Sequence, residues 1–111
     1  CERRSIVTTH TAFGYLADRY KLSQVGLSGI DPESEPSPAT LAKVKKYVQE
    51  NGTTTIFTEE LVSGKPAETL AKETNTVTAV LSPLESKPEK GDYQAAMTDN
   101  LTALKKALAC K

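Results

Sequence analysis

The run Ile6-Val7-Thr8-Thr9-His10-Thr11-Ala12-Phe13-Gly14-Tyr15-Leu16-Ala17-Asp18-Arg19-Tyr20 reads as a strand that turns directly into a helix. Its β-branched first half suits a buried or half-buried strand, predicted over Ser5–Thr9. The period then changes. Phe13, Leu16, Ala17 and Tyr20 recur at helical spacing with Asp18 and Arg19 opposite, which predicts a helix over Ala12–Tyr20 closing at Lys21. His10, the only histidine, falls at the junction, at the carboxyl end of a strand. In open α/β sheets that edge is where ligands bind. On pattern alone, however, a lone histidine is a hydrogen-bonded structural residue more often than a ligand.

The rest of the chain repeats the alternation. Gln24–Ile30 reads as a second strand, its glycines permitting close backbone approach. The acidic stretch Asp31–Pro38 holds three prolines, which exclude regular structure, and reads as a solvated loop or an acidic rim for a cation. Ser37 and Pro38 form a helix start signal, Asn51-Gly52 a stop. The helix between them, Pro38–Asn51, carries the apolar stripe Leu41, Val44, Val48. A third strand covers Thr53–Thr58 and a third helix Lys65–Thr74, with Asn75 suited to a left-handed cap. Val77–Leu81 is a fourth strand, Ser82–Gly91 a loop, and Asp92–Ala109 a last helix. Met97, Leu101, Leu104 and Leu108 are assigned to that helix's core face. The order β-α-β-α-β-α-β-α predicts an α/β fold, three layers deep, with a four-stranded, mostly parallel sheet and helices on both faces. Right-handed crossovers then gather every strand-to-helix corner on one edge. His10, the Asp31–Pro38 loop, Glu59 and Glu85 all fall along it.

Length and charge narrow the function. The 111 residues suit one domain with one core, large enough to fold without a metal staple. Fourteen basic and fourteen acidic residues cancel, so no basic excess points to nucleic acid or an anionic membrane. No apolar run approaches the ~20 residues of a membrane span. The lack of a signal peptide suggests a mature chain or an excised domain. Cys1 and Cys110 stand at opposite ends, which excludes a CxxC motif. Cys1 as the lipid-bearing first residue of a mature lipoprotein, two free thiols, and a Cys1–Cys110 disulfide all remain open. The disulfide suits the architecture best, because the start of the first strand and the end of the last helix share the lower edge of the sheet. It would imply an oxidising, extracytoplasmic location.

Imidazole with carboxylate is a ligand set that suits zinc. Glu59-Glu60, at the end of the third strand, could serve acid–base chemistry or a metal. At least one of them is read more simply as an acid drawn to the N-terminus of the next helix. Six blocks then bear a resemblance. Thr8-Thr9-His10-Thr11-Ala12-Phe13-Gly14-Tyr15-Leu16-Ala17 resembles the segment that opens the C-terminal lobe of the cluster A-I metal-binding proteins of bacterial ABC transporters. Gly29–Pro38 is similar to that family's linker before its next helix. Ile56–Glu60, Ala67–Ala71 and Leu81–Glu85 are similar to its later motifs, and Asp92-Tyr93 with Met97, Asn100 and Leu101 to its closing helix.

The resemblance implies a bilobed zinc- or manganese-binding protein of which this chain is the C-terminal lobe. It implies that His10 and Glu85 are metal ligands, with Glu59 and Glu60 as rim residues or partners of the ligands. It implies zinc rather than manganese, since manganese-selective members tend to carry carboxylates at both positions. It also implies an N-terminal lobe supplying the remaining ligands, a permease and an ATPase as partners, and membrane attachment only through anchoring of the full-length protein. Adhesion or metal scavenging by the same fold is the alternative. A small metal-assisted hydrolase using His10, Glu59 and Glu85 is a remote third reading.

Overall fold

The elements follow from local signals that agree with the global pattern. In the computed structural model, residues 2–28, 37–59, 64–84 and 91–110 are described, with the backbone alone at His10 and Ser28. The strands are β1 (Ser5–His10), β2 (Ser23–Ser28), β3 (Thr55–Thr58) and β4 (Val77–Val80); the helices are α1 (Gly14–Tyr20), α2 (Pro38–Asn51), α3 (Lys65–Thr74) and α4 (Tyr93–Ala107). The Ser37 hydroxyl accepts the Thr40 N–H at 3.1 Å and so caps α2. Gly52 ends that helix at φ 63° and Asn75 ends α3 at φ 56°, both left-handed. The predicted bounds of α2 and α3 are the observed ones. Helix α1 starts two residues later than predicted and β3 two residues later, while Gly29 and Ile30 of the predicted second strand lie outside the described residues.

The sheet runs in the order β2-β1-β3-β4, and all three pairings are parallel. Two cores result. One side packs Val7, Leu27 and Ile56 against Val44 and Val48 of α2 and Ala67, Leu70 and Ala71 of α3. The other packs Ile6, Phe57 and Leu81 against Phe13 and, at the end of α4, Ala107 and Leu108. Neighbouring residues Ile6 and Val7, and Ile56 and Phe57, thus serve opposite cores, as the period of two demands. The radius of gyration, 13.2 Å, is that of one folded unit of this length.

Two stripes are narrower than predicted. Tyr20 is exposed, its ring under the Arg19 guanidinium at 5.5 Å. Leu101 is 57% exposed and does not belong to the core. Asn100, only 6% exposed, takes the inward position between Met97 and Leu104, displacing its neighbour to solvent.

The lower edge is tied together. Arg3 donates from its backbone to the Leu108 carbonyl at 3.0 Å, and Glu2 to that of Ala109 at 3.4 Å. The Arg3 side chain donates to the carbonyls of Gly52 at 3.1 Å and Ala107 at 3.4 Å, joining the ends of α2 and α4. Cys110 is disulfide-bonded; Cys1 lies outside the described residues.

Leu70→Ala, at a site 1% exposed, is expected to cost about 2–5 kcal/mol in urea unfolding followed by circular dichroism. Leu101→Ala is expected to cost less than about 1 kcal/mol; equal losses would contradict the assignment of the α4 faces.

Candidate functional site

The strand order places a topological switch point between β1 and β3. The chain leaves β1 toward β2 on one side and leaves β3 toward β4 on the other. Connections diverge there, and in open α/β sheets such a point, outside the carboxyl ends of the strands, is where ligands bind. His10 is the last residue of β1, its backbone in register with Ser28 of β2. Glu59 is the residue immediately after β3. Continuing the register Val7↔Ile56 and Thr8↔Phe57 brings His10 and Glu59 level on adjacent strands.

The polar groups beneath this edge are buried and partnered. Thr8 and Thr9 are 1% and 5% exposed. Gln24 donates through Nε2 to Thr8 Oγ1 at 3.2 Å. Thr9 donates through Oγ1 to Glu59 Oε2 at 3.1 Å, a buried contact between residues 50 apart in sequence. Glu59 itself is 9% exposed. Helix α3 begins only at Lys65, and Glu68 is the acid of its first turn. Glu59 is therefore bonded across the sheet and is not the acid of the helix start; Glu60, the other acid of that pair, lies outside the described residues. A buried carboxylate beside a strand-end histidine is a group that can orient a ligand or raise the local affinity for a cation.

A second buried polar contact lies past β4. Leu81 is fully buried and still donates its N–H to the Thr58 carbonyl at 2.9 Å. At Ser82 the Asn100 side chain takes over both backbone groups. Its Oδ1 accepts the Ser82 N–H at 2.9 Å and its Nδ2 donates to the Ser82 carbonyl at 2.7 Å.

The sequence-predicted site residues are placed unevenly. The backbone places His10 and Glu59 level on adjacent strands at the switch point. Glu60, Glu85 and the 29–36 stretch lie outside the described residues, although the segment leading to Glu85 is fixed up to Leu84. Among the described residues no three His, Cys, Asp or Glu side chains cluster as a metal site, and no helix is long and apolar enough to cross a membrane. Sequence reading missed Thr9 and Asn100 as supports of the edge. A threonine in a strand and an asparagine in a helix carry no local sign of a distant partner.

Comparison with known proteins gives the chain a family. Residues 1–107 match the family described as zinc-uptake complex component A, periplasmic. The chain is 46% identical over 115 residues to the high-affinity zinc uptake system protein ZnuA of Bacillus subtilis strain 168, covering 99% of this chain and 36% of that protein. It is 45% identical over 109 residues to the zinc-binding lipoprotein AdcA of Streptococcus pneumoniae, covering 94% of this chain and 22% of that protein. The crystal structure of the laminin-binding protein Lbp of Streptococcus pyogenes superposes with a TM-score of 0.89 at 43% identity, covering 96% of this chain and 42% of that one. The chain thus spans about a third or less of the length of these curated relatives.

Thr9→Val removes one buried partner of Glu59 while keeping the side-chain shape. It is expected to destabilise the fold by about 1–3 kcal/mol in urea unfolding. A change below about 0.5 kcal/mol would mean that the Thr9–Glu59 contact carries no net stabilisation.

Proposed function

Because the chain belongs to the zinc-uptake complex component A family, we propose that it is the C-terminal lobe of an extracytoplasmic bacterial zinc-capture protein serving an ABC importer. The observation that supports this most directly is the convergence of His10 and the buried Glu59 at the β1/β3 switch point. Zinc is the cargo. His10 and Glu85 present half of its coordination shell, and an N-terminal lobe supplies the remaining ligands. Zinc favours four-coordinate sites with imidazole and carboxylate donors, so two ligands on one lobe give capture without tight retention. Imidazole in the set favours zinc over manganese. Glu59 stays beside the ligands as a buried carboxyl group held by Thr9, and Glu60 contributes to the rim. The permease and ATPase of the importer are the partners of the full-length protein, and no catalytic step is required. The names of related proteins support zinc transport first; the name of the laminin-binding protein Lbp supports attachment to a host component as a secondary reading.

We also propose that the Cys110 disulfide closes on Cys1. The hydrogen bonds from Glu2 and Arg3 to Ala109 and Leu108 bring the chain start alongside the residues before Cys110. Closing so long a loop stabilises by about 4–5 kcal/mol in the chain-entropy model and suits an oxidising compartment.

Calorimetric titration with zinc at neutral pH tests the site. Weak binding is expected, lost in both His10→Ala and Glu85→Ala, and weakening as pH falls through about 6.5, because a ligating imidazole must be neutral. Binding that neither substitution alters would overturn the ligand assignment, and affinity independent of pH between about 5 and 7.5 would remove His10 from it. For the disulfide, thiol titration of the native, non-reduced chain should find none, and reduction should lower the melting temperature by about 10 °C or more. Two reactive thiols would refute the pairing.

A further inference from the structure

The chain carries no net charge, yet its charges are unevenly spread. The start of β1, the end of α1 and the end of α4 bring Arg3, Arg4, Arg19, Lys21, Lys105 and Lys106 to one corner of the lower edge. Backbone bonds fix that corner. The Arg3 N–H donates to the Leu108 carbonyl at 3.0 Å, which sets the last turn of α4, with Lys105 and Lys106, beside the start of β1. The Ser23 N–H donates to the Arg4 carbonyl at 2.8 Å, which sets Lys21 close to Arg4 on the other side. The Leu22 N–H donates to the Ala17 carbonyl at 2.7 Å and so folds the end of α1 onto the same place. Segments 2–4, 18–22 and 105–109 together hold those six basic residues against two acids, Glu2 and Asp18.

Most of this charge is uncommitted. Arg4, Arg19, Lys21, Lys105 and Lys106 are exposed, and none of them forms an ion pair among the described residues. Only Arg3 is engaged internally, on the carbonyls of Gly52 and Ala107. Arg19, Lys105 and Lys106 lie in last helical turns, where the helix dipole favours cations. The dipole does not account for the gathering, because α2 ends with no basic residue in its last turn and Arg4 belongs to no helix. Tyr20 stands among these cations, 61% exposed, its ring under the Arg19 guanidinium at 5.5 Å. An exposed aromatic ring with a polar tip, flanked by cations, is the make-up of a surface that sits at a membrane–water interface.

We propose that this corner docks the lobe on an anionic lipid surface, the cations meeting lipid phosphates and Tyr20 entering the headgroup layer. The family is described as periplasmic, a compartment bounded by membranes. The corner lies at the opposite end of β1 from His10, so docking leaves the strand-end edge free. The proposal goes beyond the zinc reading and does not depend on it.

Co-sedimentation of this chain with lipid vesicles tests it. Binding is expected on vesicles of about 30% phosphatidylglycerol in phosphatidylcholine at about 50 mM salt, lost at about 500 mM, and absent on pure phosphatidylcholine. Each basic residue near an anionic surface strengthens binding about fivefold, so Lys21→Gln/Lys105→Gln/Lys106→Gln should weaken it about 100-fold. Lys43→Gln/Lys46→Gln/Lys72→Gln removes the same charge from α2 and α3 and should weaken it less than about threefold. Tyr20→Ser should weaken it about threefold or more, the loss of a partly buried ring. Circular dichroism checks that each variant is folded; all the substituted residues are exposed. No binding to the anionic vesicles at low salt, or equal weakening by the two triple variants, would overturn the docking corner. Displacement by about 10 mM inorganic phosphate at constant ionic strength would overturn the lipid surface in favour of a phosphate-ion site. Parent-like binding of Tyr20→Ser would overturn the entry of the ring into the headgroup layer.

Discussion

The fold depends on the parallel pairing of β1 with β3 at the centre of the sheet. Both strands are covered on both faces, and Ile6, Val7, Ile56 and Phe57 are each at most 1% exposed. Handedness does the rest. A right-handed crossover from β1 outward to β2 and another from β3 outward to β4 must put their helices on opposite faces. The return from β2 to β3 puts α2 on the face of α3. The two cores have this composition, one built from α2 and α3, the other from Phe13 and α4. The same constraint sends the chain in opposite directions after His10 and after Glu59. The switch point between those residues is therefore a product of topology, whatever side chains line it; the chemistry is what this sequence adds.

The two edges of the sheet divide stability from function. At the lower edge the Arg3 guanidinium satisfies carbonyls at the ends of two helices, the backbone of residues 2 and 3 runs along residues 108 and 109, and Cys110 is bridged. These contacts lie a full strand length away from His10. At the upper edge the contacts are of another kind: buried side-chain polar groups reach across the sheet or between layers, Thr9 to Glu59 and Asn100 to Ser82. Such bonds add little net stability when made but are costly when half-broken. They specify one geometry more than they add to the total, which suits the edge proposed to carry the ligands.

Legibility in the sequence followed the range of the interactions. Helices α2 and α3 were readable to the residue because Ser37-Pro38, Asn51-Gly52 and Asn75 are short-range signals with a fixed geometric meaning. The parallel α/β class was readable because four alternations of period leave few topologies. The start of α1 was misplaced because Ala12 and Phe13 fit a helical stripe while Phe13 stands at the cap position, φ −112°. Leu101 was assigned to the core because a leucine stripe is the usual inward face; what displaced it was an asparagine needed for a bond 18 residues away. The same holds at the site. His10 and Glu59 were legible as strand-end residues, but the Thr9–Glu59 bond spans 50 positions and leaves no local trace.

These long-range bonds bear on how a half-site can serve a transported metal. A protein that must release its cargo cannot surround zinc with four ligands on one rigid body, since separating the ligands is what lowers affinity. On the proposed reading each lobe therefore brings an incomplete set, and neither has metal to organise it before capture. Order must come from the protein. If the ligand-bearing segments were loose, closing on zinc would cost the freedom of every residue ordered, about 1–2 kcal/mol each for the backbone. Anchoring Leu81 in the core and Ser82 on α4 meets that cost during folding. On that reading the lobe is weak in affinity because it has few ligands, while the segment that leads toward one of them is ordered up to Leu84 before any metal arrives.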